Sequence, residues 1–360
     1  MSAASRQLSS QSSFALSIDP TGSWLCAIKH GAIFLLRSDG TSSAVPLHPA
    51  EPSQSATVRC ACFSADGMTL VSGGDDKTVR VWDVASLSCV RSWVHHKKVA
   101  CVQLSPSGET IIFADRFGEV YSVKLHSADE PPTLLLGHLS PVSHLKLAAA
   151  GTLLLSADRE GHVRSSRYPH AFVIENFYLQ HITPLQIMLP LVQAPLVLTV
   201  AAEGREVCLW QIHCGKLLQR QSACDLYASL APSNSAPNIQ QALMAACECP
   251  NQNLLAFTFA SEDTVHFLAV DCSWDANDVG LRAVDTSLTI RLDQQPIAIQ
   301  CSCSSALCVL TSNTLIIYSP SEAGTGFGPS CAVTVALPSP PDGRILPVED
   351  EEEDAEMIDD

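Results

Sequence analysis

Residues 58–93, VRCACFSADGMTLVSGGDDKTVRVWDVASLSCVRSW, pass four times from an apolar run to a polar break. VRCACFS is followed by ADG, TLVSGG by DDK, TVRVWDV by a polar link, and SCVRSW closes the unit. Apolar residues on alternate positions bury one face of a strand, and the Asp- and Gly-containing breaks are turn chemistry. The stretch predicts four short strands joined by tight turns. The order recurs in VACVQLSPSGETIIFADRFGEVYSVKL (99–125), in GHLSPVSHLKLAAAGTLLLSADREGHVRSS (137–166) and over 181–219. Weaker copies lie at 14–37, 242–270 and 296–318. Setting Trp82 against Leu36, Val123, Ser166, Trp210, Leu268 and Tyr318 gives spacings of 46, 41, 43, 44, 58 and 50 residues. The long interval holds ASLAPSNSAPN, whose Pro, Ser and Asn predict a surface insertion over about 226–238. SEAGTGFGP (321–329) reads as a loop, and CAVTVAL (331–337) is a candidate closing strand, with the first residues of the chain as the alternative.

A four-strand unit repeating at about 40 to 45 residues, with Trp82–Asp83 ending a third strand and Gly137–His138 opening a unit, resembles the blade of a WD-repeat propeller. The predicted fold is all-β: a seven-bladed WD-repeat β-propeller over 14–338 with degenerate blades. A flexible N-terminus (1–13) and an acidic, disordered C-terminal tail (339–360) flank it. Such blades are often stiffened by a His, a Ser or Thr, an Asp and a Trp in one hydrogen-bonded set. The second blade offers Ser72, Asp76 and Trp82 without a His, and the fourth His138 and Ser156 with Ser166 in place of Trp. No blade reads as complete, so apolar packing is expected to hold the ring.

Composition changes the picture in two places. The chain carries 21 Lys and Arg against 37 Asp and Glu, but EDEEEDAEMIDD (349–360) alone holds nine carboxylates, leaving the body near −7. Such a body does not bind nucleic acid by bulk charge, so RNA contact needs a local basic patch. The 15 cysteines include Cys60/Cys62, Cys247/Cys249 and Cys301/Cys303, with no C-x-x-C. Two residues apart on a strand, such thiols point to one face, and they are expected to pack as small apolar groups rather than to bind metal. Many unpaired thiols fit a reducing compartment, the nucleus or the cytoplasm. The polar start predicts no secretory signal. PLQIMLPLVQAPLVLTVAA (184–202) is uncharged, yet Pro190 and Pro195 make it strand, turn, strand rather than a membrane span. No G-x-S-x-G, H-E-x-x-H, phosphate-binding loop or dinucleotide fingerprint is present, and His95–His96 sit at a blade junction. The expectation is a non-enzyme with no catalytic, cofactor or metal site.

The turns of the third and fourth units, ADRFGEVY and ADREGHVR, are near copies, with Asp115 and Arg116 matching Asp158 and Arg159. Asp158, Arg159, Glu160 and Arg164 crowd one hairpin. The plain reading is a capped turn with Arg laid on its neighbour. The functional reading is a basic spot on an acidic protein, where Arg suits bidentate recognition of carboxylate or phosphate. Residues 120–181 further resemble the non-catalytic WD-repeat subunit of the tRNA guanine-N7 methyltransferase. The string runs through LGHLS, ADR, Val163–Arg164–x–Ser166, Tyr168–Pro169, then Phe172, Ile174, Glu175, Phe177, Leu179 and His181.

The resemblance implies a heterodimer. A separate catalytic subunit binds S-adenosylmethionine, and this chain keeps it competent and helps place the tRNA so that a variable-loop guanine is methylated. It also implies that Arg164 belongs to the docking face. Asp158 is expected to pair with Arg164 and aim it, with Arg159, Glu160 and Arg116 completing a partner-binding patch. Where some relatives end in a basic extension this chain ends acidic, so its tail is not expected to hold RNA. The rival is a generic WD-repeat scaffold or ubiquitin-ligase substrate receptor. Such receptors carry an Arg after the Trp–Asp pair, and here Val84 and Ala85 stand there.

Overall fold

A computed structural model describes residues 15–20, 22–29, 32–37, 45–47, 57–126, 130–230, 242–249, 254–260, 262–271, 280–283, 289–301, 306–311, 314–320 and 327–336. The flexible N-terminus expected over 1–13, the tail expected over 339–360 and the thiol of Cys303 lie outside these residues. The described strands form seven antiparallel sheets, six of four strands and one of five. Each sheet is built from consecutive strands, so every blade is local in sequence. The blades span Ala15–Leu47, Val58–Val94, Val99–Gly137, Val142–Tyr178, Leu185–Ser222, Leu243–Arg291 and Ala298–Ala336. The fold is the expected seven-bladed WD-repeat propeller.

Seven apolar clusters, one at each blade boundary, hold the ring. Val71, Val79 and Val81 of the second blade pack on Val102, Ile111 and Phe113 of the third, and the pattern repeats around the circle. The last cluster joins Leu25, Phe34 and Leu36 of the first blade to Leu310, Leu315 and Ile317 of the seventh. The outer strand of the seventh blade is its own Phe327–Ala336, paired with Thr314–Pro320. Among the described residues the ring therefore closes by side-chain packing and not by strand exchange, and of the two candidates it is the C-terminal run that supplies the strand. The second strand of each blade lies between two neighbours, which is why LLLSAD (Leu153–Asp158) and LVLTVA (Leu196–Ala201) are buried throughout. Buried on both faces, they read as continuous apolar runs rather than alternating ones. No helix among the described residues is long and apolar enough to cross a membrane. The uncharged run at 184–202 is the strand Leu185–Pro190, a turn and the strand Leu196–Ala201.

The six residues set against Trp82 keep its register. Each faces the same position of its blade's second strand, from Leu25↔Leu36 and Leu70↔Trp82 to Leu255↔Leu268 and Leu307↔Tyr318. Two findings differ from expectation. The insertion placed at 226–238 begins inside a helix, Ala223–Leu230, whose Leu226 and Tyr227 pack into the core between the fifth and sixth blades. And the outer strand of the seventh blade starts at Phe327, inside the run 321–329 read as a loop. The fifth blade carries a His–Thr–Trp tie. Trp210 Nε1 donates to Thr199 Oγ1 (2.8 Å), and His181 Nε2 lies 2.8 Å from the same hydroxyl, while His181 Nδ1, 3.6 Å from Glu206, is buried without a hydrogen-bond partner. Ala201 stands where the third and fourth blades have Asp115 and Asp158, so the set stays incomplete, as expected.

The thiols pack as expected. Cys60 and Cys62 lie against the core between the second and third blades, and Cys247, Cys249 and Cys301 line that between the sixth and seventh. Burial pushes the Cys60 thiol well up, and Cys26 and Cys101 to about 12, so these thiols stay protonated.

Candidate partner-docking edge on the fourth blade

The hairpin of the fourth blade turns at Asp158–Gly161 because two residues there accept special geometry. Gly161 has φ +85°, and a Cβ on it would stand 2.4 Å from the Thr183 carbonyl. Asp158 is 3% exposed and folds its carboxylate back over the turn. Its Oδ1 accepts the backbone N–H groups of Glu160 and His162, both at 3.0 Å. Its Oδ2 lies 3.3 Å from His162 Nδ1 and 3.5 Å from His138 Nδ1. The third blade repeats the arrangement. Asp115 Oδ1 accepts the N–H groups of Phe117 (2.8 Å) and Glu119 (3.0 Å), and Oδ2 lies 3.4 Å from His95 Nε2. The two aspartates align as the sequence indicated, and both are internal turn caps.

This corrects one expectation. Asp158 does not pair with Arg164. The guanidinium turns the other way, and Nη2 donates to the carbonyl of Gly137 at 3.0 Å, tying the hairpin to the outer strand of the third blade. Its Nε is buried and has no hydrogen-bond partner. Burial lowers the Arg164 guanidinium below its ordinary value, and Asp158 opposes this through space. Burial first, and Arg164 second, hold the neighbouring His138 imidazole down to about 4, so it sits neutral beside Asp158 and Ser156.

Arg164 is half-buried in a frame of exposed apolar side chains. Its register partner on the outer strand is Phe177, 52% exposed. Leu179 extends the same edge and is exposed. Leu139 stands two residues beyond Gly137, entirely in solvent, and Ile182, in the loop that Gly161 touches, is 91% exposed. An exposed Phe opposite one half-satisfied arginine, with three more exposed apolar groups on the bordering segments, has the anatomy of a protein-contact centre: apolar anchors that exclude water beside a directional cation. Leu139, Phe177 and Leu179 stood in the sequence string. Ile182 carried no signal beyond being apolar in a loop, where nothing in the pattern says which way it faces.

The remaining candidate residues divide. Arg159 and Glu160 are exposed at the tip of the same turn, and Glu160 Oε2 lies 3.6 Å from His162 Nδ1. Arg116 occupies the equivalent tip of the third blade, its backbone N–H bonded to the Lys98 carbonyl (3.0 Å). It sits a blade away from the Arg164 edge. Two groups bring three ligand-type atoms within 4.8 Å of one another: His95, His96 and Asp115, and His181, Glu206 and Cys208. In both, residues already serve the blade: Asp115 as a turn cap, His181 on the Thr199 hydroxyl, and Glu206 as the acceptor of Arg220.

Seven local antiparallel units, six of four strands and one of five, a Trp–Asp strand end and His–Ser or His–Thr–Trp ties define a WD-repeat propeller, and a WD-domain family model matches residues 47–83. A second model, described as the tRNA methyltransferase TRM82 WD40 domain, matches residues 129–314. That span is more than half of the chain and contains the Arg164 hairpin. The chain belongs to this family, the WD-repeat, non-catalytic subunits of a tRNA methyltransferase.

Other likenesses are local or of fold. WD repeat-containing protein 18 of Bos taurus is 45% identical over 51 residues, 14% of this chain and 12% of that protein. The ribosome biogenesis protein BOP1 homolog of Drosophila mojavensis is 39% identical over 57 residues, 16% of this chain and 7% of that protein. The chain thus matches only a small part of these relatives. A chain in the crystal structure of the mitotic checkpoint complex superposes with TM-score 0.66 at 16% identity, covering 82% of this chain and 86% of that one. The Cps50 (Swd1) propeller domain of Myceliophteria thermophila follows at 0.61 and 11%, over 83% and 92%. At such identities the shared property is the fold.

Proposed function

We propose that this propeller docks the catalytic subunit of a tRNA guanine-N7 methyltransferase through the outer edge of its fourth blade. It holds that subunit competent and helps place the tRNA so that a variable-loop guanine is modified. In this reading S-adenosylmethionine binds only to the partner, and the pair is a heterodimer that works in the nucleus, with the cytoplasm a second site. The observation that carries the reading is Arg164. It is anchored by one bond to Gly137, its Nε is buried and unpartnered, Phe177 stands opposite it, and the exposed Leu139, Leu179 and Ile182 lie on the bordering segments, all within the matched family segment. A partner carboxylate seated there satisfies the guanidinium, and apolar partner side chains cover the frame.

The test is Arg164→Leu. In the isolated chain it removes one hydrogen bond to a carbonyl at the surface, about 1 kcal/mol. In the complex it leaves a desolvated carboxylate unpaired, about 2–5 kcal/mol, which is roughly a 30-fold to several-thousand-fold loss of affinity. Heterodimer affinity and methyl transfer by the reconstituted pair fall together while the melting curve of the single chain barely moves. Wild-type affinity in the variant, or a variant that does not fold, overturns the assignment.

A further inference from the structure

The cations on the turn side of the second to fourth blades are not scattered. Backbone hydrogen bonds thread them into one line. His95 N–H bonds to the Lys77 carbonyl (2.6 Å), and Lys97 and Lys98 follow directly along the chain. Arg116 N–H bonds to the Lys98 carbonyl (3.0 Å), and His138 N–H bonds to the Gly118 carbonyl (2.8 Å). Arg159 N–H bonds to the Pro141 carbonyl (3.0 Å). The His95 and His138 links join a blade's turn to the loop entering the next blade, and the Arg116 and Arg159 links join a blade's turn to the loop entering its own first strand. Lys77, Lys97, Lys98, Arg116 and Arg159 therefore lie along a continuous arc across three blades, ending beside the Arg164 edge.

The acidic groups of this surface are mostly engaged. Asp75 is paired with Arg59 (2.6 Å) and Asp76 with Arg80 (2.5 Å). Glu119 accepts Tyr121 Oη–H (2.7 Å) and faces Lys97 at 3.4 Å. The carboxylates beneath the arc, Asp115 and Asp158, are buried and each is held by two backbone N–H groups. An exposed aromatic also lies on the arc, for Phe117 is 53% exposed with Lys97 Nζ 4.1 Å from its ring centre. On a chain of formal charge −16, this is a cationic surface kept locally against the mean.

We infer that this arc binds the phosphate backbone of the tRNA beside the docked catalytic subunit. The inference rests on the proposed function and names the surface that reading requires. A row of point cations spaced along successive blade turns suits a repeating polyanion and carries no base code, which matches a subunit that positions RNA and leaves recognition of the guanine to its partner. Continuity with the Arg164 edge places the RNA and the partner on adjoining surfaces.

The test uses the single chain, so its result does not depend on the docking assignment. Binding of a fluorescent tRNA transcript is titrated at about 50, 100 and 200 mM salt, with the full chain and with the chain ending at Val348, which lacks the acidic run. At least one of the two binds, and its affinity falls steeply with salt. Combining Lys97→Gln, Lys98→Gln, Arg116→Gln and Arg159→Gln lowers affinity at least tenfold at the lowest salt. It also flattens the logarithmic salt slope by about 0.7–0.9 for each phosphate that is no longer neutralised. Arg159→Gln alone, at an exposed turn tip, gives a smaller shift in the same direction and stands in should the fourfold variant not fold. The inference is overturned if neither form of the chain binds the transcript. It is equally overturned if the folded variants keep wild-type affinity and slope. Failure of partner docking in Arg164→Leu is read in a separate experiment and leaves this one unaffected.

Discussion

Asp158→Ala separates a turn cap from an interface residue. In the structure the carboxylate is 3% exposed and accepts two backbone N–H groups at 3.0 Å, with His138 and His162 on its other oxygen. Removing it leaves the Glu160 and His162 amides without their acceptor. A hydrogen bond to a charged group contributes roughly 1.5–3 kcal/mol, and water reaches this turn from the exposed Glu160 side, so partial replacement lowers the cost. The expected destabilisation is about 2–4 kcal/mol. Asp158→Asn keeps an oxygen for the two amides and loses only the charge, so it costs about 1 kcal/mol. Urea unfolding of the isolated chain measures both, with the midpoint falling at unchanged slope. Heterodimer affinity, measured well below the unfolding midpoint, changes little, because Asp158 neither reaches the surface nor holds Arg164. An Asp158→Ala chain of wild-type stability that fails to dock would refute this account and restore the carboxylate as the group that aims Arg164.

Gly161→Ala forces a left-handed residue and sets a methyl 2.4 Å from the Thr183 carbonyl. It loses at least about 1–3 kcal/mol to backbone strain, read as a lowered urea midpoint, and a wild-type midpoint contradicts the close approach of the fourth and fifth blades. Acid weakens the fold through His138, whose folded value near 4 lies below the ordinary 6.5. The unfolded chain binds the proton first, so this contribution is complete above about pH 6.5 and disappears as pH falls towards 4, roughly 2 kcal/mol by pH 5. His138→Gln flattens the dependence of stability on pH between about 7 and 4, and identical profiles for variant and wild type exclude the mechanism.

The architecture was legible in the order of residues alone. Four-strand units repeating every 41 to 58 residues are complete within the chain's local order, and each of the seven sheets uses only consecutive strands. Local hairpins are written in alternation and turn residues, which is why Leu36, Val123, Ser166, Trp210, Leu268 and Tyr318 kept the register of Trp82. Even the alignment of Asp115 with Asp158 survived, because an aspartate at the start of a tight turn bonds to amides two and four residues on. What the sequence could not supply was direction across blades. Asp158 and Arg164 are six apart on one hairpin, yet one side chain folds inward to its own turn and the other outward to Gly137 of the preceding blade. His181, Thr199 and Trp210 tie the fifth blade through one hydroxyl, a contact between three segments that the spacing alone does not show. The helix Ala223–Leu230 forms inside a predicted loop because Leu226 and Tyr227 find the core between two blades. Phe177 faces Arg164 across the hairpin, and the exposed Leu139 and Ile182 lie on the loops that its blade's turn and the preceding blade bring to the same edge. Hydrogen bonds within a turn depend on residues a few positions apart, and those a sequence shows. A surface assembled from neighbouring blades depends on the angle at which they pack, and only the closed ring sets it.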